Sequence, residues 1–180
     1  MTFHDGGFPA SPSKDHREEA PETVNVAVLT MSDTRTSDDD RSGQLIRTNL
    51  AWRGHEIAAY AIVPDDADRI REQLVAWLDD DSVDAIITNG GTGISARDST
   101  YEVVSSLLEK RLDGFGELFR MLSWQEIGAA AMLSRAVAGS AGSKVIFSLP
   151  GSSNAVRLAM EKLIGPELGH AVHELRKHRQ

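Results

Sequence analysis

The 180-residue chain contains no cysteine. That absence removes disulfides, thiolate metal sites and cysteine nucleophiles together, and it suits a cytoplasmic protein. No apolar run approaches the roughly 18 residues that a membrane-spanning helix needs. The N-terminal stretch also lacks the apolar core of a signal peptide, so no membrane partner is expected. Positive charge is scarce: 19 Lys and Arg stand against 27 Asp and Glu, with no basic run, which argues against binding to a nucleic-acid backbone. An acidic balance does not exclude a phosphorylated ligand, because backbone N–H groups bind phosphate locally whatever the net charge. Apolar periodicity is missing from residues 1–23, which read as a disordered or extended N-terminal tail. The acidic triplets Asp38-Asp39-Asp40 and Asp79-Asp80-Asp81 fit either adaptation to high salt or ordinary acidic loops.

From residue 24 onward the pattern is that of a single folded domain, 24–180. Residues 24–29 are a short β-branched run, as a buried strand requires, and 57–63, 83–88 and 145–147 read as further strands. Between them, Ile46 with Leu50, and Ile70, Leu74, Trp77 with Leu78, follow helical spacing. Gly54 is placed to close the first helix. Val104, Leu107, Leu108 and Leu112 mark a further helix, which Asp113-Gly114-Phe115-Gly116 is expected to break before another helix over 117–132. The small residues of 136–143 suggest an edge strand and turn. Two more helices are expected, one carrying Val156, Met160, Leu163 and Ile164, the other Leu168, Val172 and Leu175 and ending in a basic segment suited to the negative pole of its dipole. Alternating strands and helices predict an α/β fold of three layers, a mostly parallel sheet with helices on both faces. Ligands of such sheets bind beyond the C-terminal strand ends, so the residues just after each strand carry the information.

Four such segments stand out. Asn89-Gly90-Gly91-Thr92-Gly93 follows a core strand, and its glycines let backbone N–H groups face an anion without Cβ interference. The overlapping Gly91-Thr92-Gly93-Ile94-Ser95-Ala96 also fits a dinucleotide-binding fingerprint, a weak signal by itself and misplaced in mid-chain. Arg97-Asp98-Ser99-Thr100 comes next; any of its last three residues suits a helix N-cap, and a carboxylate beside a phosphate loop equally suits a divalent cation. Asp65 and Asp66 after Pro64 present the same two alternatives. Ser148-Leu149-Pro150-Gly151-Ser152 leads from a strand into a helix start and is either a second anion site or only a cap. The three tryptophans, Trp52, Trp77 and Trp124, suit core or subunit packing. His55 suits a structural role, and His170 with His173, judged to lack an acidic partner nearby, makes no metal site.

In chain order, Thr30-Met31-Ser32-Asp33, Asp65, Asn89 through Gly93, Arg97-Asp98, Gly114-Phe115-Gly116-Glu117 and Leu149-Pro150-Gly151-Ser152 resemble the MoaB/MogA family of molybdenum cofactor biosynthesis proteins. Phe119 through Ser123, with Ser134-Arg135-Ala136-Val137-Ala138-Gly139, is more similar to MoaB. The resemblance spans about residues 24–175. It implies a Mg²⁺-dependent transfer of AMP from ATP to the terminal phosphate of molybdopterin, with release of pyrophosphate. It implies a homo-oligomer, trimer or hexamer, and a downstream molybdate-insertion protein as partner. Asp65 and Asp98 match the family's two acidic positions, implied to act in catalysis and to hold Mg²⁺. Gly90, Gly91, Thr92, Gly93 and Thr100 are implied to bind nucleotide or substrate, with Ser32 and Asp33 on the same edge and Pro150, Gly151 and Ser152 walling the nucleotide side. Glu117 lies in a family motif without a role that its chemistry suggests. Ile94 departs from the proline common after the glycine turn. Some MoaB members lack both acidic residues and have little activity, so a non-catalytic molybdopterin-binding or scaffold protein is the alternative.

Overall fold

The computed structural model describes residues 21–177; the expected tail, apart from its last three residues, lies outside them, as do His178 and Arg179 of the basic C-terminal segment. Six strands form one sheet: β1 (Asn25–Met31), β2 (Glu56–Val63), β3 (Ala85–Asn89), β4 (Lys110–Arg111), β5 (Val137–Ala141) and β6 (Lys144–Leu149). Their spatial order is β2-β1-β3-β6-β5-β4. The first four in that order run parallel; β5 pairs antiparallel with β6, and β4 pairs antiparallel with β5. The helices are α1 (Arg41–Trp52), α2 (Ala67–Leu78), α3 (Thr100–Leu107), α4 (Asp113–Ile127), α5 (Ser153–Ala159) and α6 (Gly165–Arg176). This is the expected α/β architecture of three layers.

The two-residue period of the strands divides the core. Val26, Val28, Ala85, Ile87, Val145 and Phe147 face one layer, with Ile46 and Leu50 of α1, Phe119 of α4 and Leu168 of α6. The alternate residues Ala27, Leu29, Ile86 and Ile146 face the other, against Ile70, Leu74 and Trp77 of α2 and Val103 and Val104 of α3. All ten of these strand residues are buried because parallel strands are covered on both faces.

Four expectations are corrected. Leu112 is not part of a helix, because α3 stops at Leu107 and the chain pairs as β4 beside β5. The segment Asp113-Gly114-Phe115-Gly116 starts α4 instead of breaking a helix. Glycine in a first turn costs little there, and a Cβ on Gly116 would lie 2.9 Å from the Ala136 carbonyl oxygen, so the close approach to the neighbouring loop selects it. Phe115 packs edge-on against Phe147 with ring centroids 5.3 Å apart, which fixes that first turn to the sheet. The strand within 136–143 is not an edge: all five residues of β5 are buried, with β4 outside it. The two last helices are continuous through a π-helical turn, Met160–Ile164. Pro166 has no N–H to donate in the regular ladder, and the wider turn absorbs the loss.

Other local expectations hold. Gly54 has φ 83 at the end of α1. The β5–β6 hairpin turns on Gly142 at φ 58. Trp77 is in the core, whereas Trp52 and Trp124 are exposed. Asp84 and Lys144 are buried charges that no periodicity reveals. Asp84 accepts from Asn25 N–H at 2.8 Å and from Arg176, so the basic end of α6 is tied to the sheet. Lys144 Nζ donates to the carbonyls of Asp80 at 2.6 Å and Val83 at 2.8 Å. No helix among the described residues is long and apolar enough to cross a membrane.

Candidate active site

The chain leaves β1 toward β2 and leaves β3 toward the other half of the sheet, so their neighbouring C-terminal ends form the switch point where open α/β sheets open a crevice. The glycine turn is there. Gly90 has φ 102 and Gly91 φ 60, conformations that other residues rarely adopt. A Cβ on Gly90 would lie 2.5 Å from the Met31 carbonyl oxygen, and one on Gly151 would lie 3.1 Å from Gly90 Cα. Thus β1, β3 and the loop after β6 meet through bare backbone. Among the described residues, the N–H groups of Gly91, Thr92, Gly93 and Ile94 have no acceptor in the protein. Four successive unpaired donors at a strand end form a concavity suited to an anion.

Two carboxylates pack on this turn. A Cβ on Gly91 would lie 2.7 Å from both carboxylate oxygens of Asp65, and one on Gly93 would lie 2.6 Å from Asp98 Oδ2. Neither aspartate caps a helix. Asp66 caps α2 through the N–H groups of Asp68 and Arg69, which leaves Asp65 free of that task. Asp98 Oδ2 accepts from Ser95 N–H at 2.9 Å and closes the loop, while Ser99 stands at the N-cap of α3 without a capping bond. Asp65 Oδ1 has only long bonds, 3.4 Å from Ser99 N–H and 3.3 Å from its hydroxyl. Burial pushes the Asp65 carboxyl above its ordinary value, the Ser99 donors pull it back, and the negative charges of Asp98 and Asp33 add to the rise.

The residues fit a divalent cation. A cluster of acids with too few donors gains from added positive charge, and the Thr100 hydroxyl oxygen, buried against Gly91, has no partner. No group of three or more acidic or histidine residues among the described residues is disposed to hold a metal alone. Mg²⁺ typically takes one or two carboxylates and fills its shell with substrate phosphates and water. Asp33 is committed elsewhere: its Oδ2 pairs with Arg97 and its Oδ1 accepts from Asp65 N–H at 3.3 Å.

Behind the turn lies a buried polar hub. Asp40 accepts from Thr30 Oγ1 at 2.6 Å, Tyr60 Oη at 2.8 Å, Gly43 N–H at 3.0 Å and Ser42 Oγ at 3.1 Å. Burial alone raises its pKa, but these donors outweigh burial and hold it below the ordinary carboxylate range. Tyr60 is pushed up to about 12 by burial and by its bond to Asp40. Asn89 Nδ2 donates to Thr30 Oγ1 at 2.9 Å, which joins the hub to the first residue of the glycine motif.

A cleft of about 550 Å³ opens over the turn. Of the residues singled out in the sequence, Gly90, Gly91, Thr92, Gly93, Asp98, Ser32, Pro150, Gly151 and Ser152 line it. Asp33, Asp65 and Thr100 do not; Asp65 and Thr100 lie against Gly91, behind it. The Ser152 hydroxyl caps α5 by accepting from Ala155 N–H at 3.2 Å, so that segment is a helix start as well as a wall.

The family model described as "Probable molybdopterin binding domain" matches residues 27–170. The chain belongs to this molybdenum cofactor biosynthesis family. It is 53% identical over 167 residues to "Molybdenum cofactor biosynthesis protein B" of Bacillus cereus, covering 92% of this chain and 98% of that protein. A crystal structure of a molybdenum cofactor biosynthesis protein B is 55% identical with a TM-score of 0.85, covering 89% of this chain and 99% of the other. The tungsten cofactor synthesizing protein MoaB from Pyrococcus furiosus is 40% identical with a TM-score of 0.76, covering 87% and 99%. As a member of this family, the chain has no need of the dinucleotide reading of Gly91 through Ala96.

Two arginines of this family member join the site in roles that the sequence does not reveal, although Arg135 lies in a family-like segment. Arg35 lines the cleft, its Nη1 donating to Ser42 Oγ at 2.6 Å and to Asp40 Oδ1 at 3.4 Å. Arg135 donates to the turn itself. Neither role has a local signal, since each arginine reaches its partners across the fold. The described histidines stay outside the site. His55 Nδ1 accepts from Val24 N–H at 3.3 Å. His170, expected to lack acidic neighbours, has Glu167 Oε2 at 3.1 Å and Glu174 Oε1 at 3.8 Å, one helical turn to either side. Glu117 lines a separate cleft.

Proposed function

We propose that this chain acts in molybdenum cofactor biosynthesis as a Mg²⁺-dependent molybdopterin adenylyltransferase, transferring AMP from ATP to the terminal phosphate of molybdopterin and releasing pyrophosphate. One observation carries the reading: four unpaired N–H donors on a turn against which Asp65 and Asp98 are packed. In the reaction, a terminal phosphate oxygen of molybdopterin attacks the α-phosphorus of ATP. A new P–O bond forms as the bond to the β-phosphate oxygen breaks, and the electron pair leaves on pyrophosphate. The turn donates to phosphate oxygens on which charge accumulates, at fixed positions that need no reorganisation. Asp65 and Asp98 would hold Mg²⁺, which supplies neutralisation of phosphate charge and of the leaving pyrophosphate. Thr100, which like Asp65 lies against Gly91, would complete the polar side of that site. Ser32, Pro150, Gly151 and Ser152 bound the cleft and restrict the poses of the two substrates.

A homo-oligomer and a cytoplasmic location belong to the same reading. Leu118, Met121 and Trp124 on α4, and Met132 and Leu133 on the 3₁₀ turn that follows it (Gly128–Leu133), are each about half exposed or more, an apolar surface suited to a second copy. Sedimentation velocity at micromolar protein tests it: a monomer rejects that part. The catalytic part is tested by incubating the protein with ATP, Mg²⁺ and molybdopterin and measuring pyrophosphate. Release should follow enzyme concentration and fall at least about 100-fold in Asp65→Asn and in Asp98→Asn. Molybdopterin binding without pyrophosphate release identifies the non-catalytic alternative, and release unaffected by Asp98→Asn rejects the assigned site.

A further inference from the structure

Arg135, in the link between the 3₁₀ turn and β5, reaches the glycine turn from outside the cleft. Its Nε donates to the Thr92 carbonyl oxygen at 2.9 Å, and its Nη2 donates to the Gly93 carbonyl oxygen. Its Nη1 pairs with Glu102 on α3, and its guanidinium lies over the Tyr101 ring, 4.6 Å from the centroid. The guanidinium is thus held on three sides, and only about a quarter of its side chain is exposed. A trans peptide holds C=O and N–H antiparallel. Drawing the Thr92 and Gly93 carbonyls to Arg135 therefore turns the N–H groups of Gly93 and Ile94 the opposite way, to the side of the turn that faces the cleft. Those are two of the four unpaired donors.

We infer that Arg135 is a positioning residue that sets the anion turn: it fixes the Thr92–Gly93 and Gly93–Ile94 peptides with their N–H groups presented to phosphate, and it ties them to the helix that follows Asp98. The inference rests on the phosphate-binding role proposed for the turn. Two features favour arginine over lysine here. The planar fork spans two successive carbonyls while a third nitrogen engages a carboxylate, and a compact ammonium cannot do both. Positive charge placed on the carbonyl ends of two peptides also polarises their N–H ends and strengthens them as donors.

Arg135→Lys keeps the charge opposite Glu102 and loses the fork. Glu102→Gln loses the ion pair and keeps the fork. With inorganic tripolyphosphate and Mg²⁺ as the probe in calorimetry, Arg135→Lys should bind about 10- to 100-fold more weakly than the unaltered protein, as loss of two charge-assisted bonds implies. Glu102→Gln should change affinity by no more than about threefold, the size expected of an exposed ion pair. In the ligand-free protein, the Gly93 and Ile94 amide resonances should shift and exchange faster in Arg135→Lys, with an unfolding midpoint close to that of the unaltered protein. Unmoved amide resonances together with unchanged tripolyphosphate affinity overturn the inference. Failure of the unaltered protein to bind tripolyphosphate or ATP refutes the proposed function instead; the ligand-free amide resonances then decide the role of Arg135 alone.

Discussion

Adding one methyl group at residue 91 separates what the glycine turn does for stability from what it does for binding. Gly91 has φ 60, where a side chain costs about 1–2 kcal/mol. The new Cβ would also lie 2.7 Å from both oxygens of Asp65, well inside the roughly 3.5 Å at which such atoms pack without repulsion. Asp65 is held at its carboxylate by Ser99 and at its backbone N–H by Asp33 Oδ1, so part of the movement falls on the turn. The two costs together make Gly91→Ala less stable by about 2–3 kcal/mol, a factor of roughly 100 in the folding equilibrium. A shift of about 1 Å in the carboxylate or the N–H groups should cost a further 100-fold in turnover.

Two companion substitutions sharpen the contrast. Gly93 has no positive φ, and its Cβ would meet only the end of the Asp98 side chain, at 2.6 Å. Gly93→Ala should lose less than about 1 kcal/mol of stability while weakening ATP binding, because a side-chain tip moves more cheaply than backbone. Gly114, in the first turn of α4, has nothing within 4 Å of its Cβ position. Gly114→Ala should be neutral, or stabilising by up to about 1 kcal/mol. Urea unfolding with an unchanged m-value reports the stabilities, and calorimetry with ATP and Mg²⁺ reports binding. Equal stability of Gly91→Ala and Gly114→Ala would refute the reasoning about the left-handed turn. Unchanged ATP binding in both site variants would refute the assignment of the turn to phosphate.

Two further predictions concern buried charge. Asp40 has its pKa held down in the folded protein, so its contribution to stability is fully present above the unfolded value near about 4 and is lost as pH falls through the lower folded value. Asp40→Asn should therefore cost roughly 2–4 kcal/mol at about pH 7, a gap that narrows toward about pH 3 in urea unfolding; a gap independent of pH contradicts the hub. Lys144→Met leaves the carbonyls of Asp80 and Val83 without their donor and should lower stability by about 2–4 kcal/mol, read as a lower urea midpoint; an unchanged midpoint means those carbonyls find other partners.

Most of the fold was legible because its signals are local. The runs that read as strands became β1, β2, β3 and β6, and the spacing of Ile70, Leu74 and Trp77 marks the face that α2 buries. Where local signals are ambiguous, tertiary contacts decided. Gly114 and Gly116 read as a helix breaker, yet Phe115 on Phe147 and the close approach of Gly116 to Ala136 make the same residues a helix start. The small residues of β5 suggested a weak edge strand, but the two residues of β4, too few to register as a strand in sequence, cover it.

The site divides along the same line. Gly90 through Gly93 announce themselves because glycine at a strand end has few other uses, and the competition between Asp65 and Asp66 is settled by one capping interaction that sequence leaves open. The roles of Asp40 and Arg135 are invisible in sequence for a physical reason. Each satisfies groups from segments far apart in the chain: Asp40 joins β1, β2 and the start of α1, and Arg135 joins the glycine turn to α3. A charged side chain whose value lies in several distant partners leaves no periodic trace. Of Asp38, Asp39 and Asp40, only the last is buried, and the triplet that looked like a solvated acidic surface therefore contains the carboxylate on which the turn's first residue ultimately rests. The bond from Asn89 to Thr30, and from Thr30 to Asp40, makes the rigidity of the glycine turn depend on a buried charge that does not line the cleft.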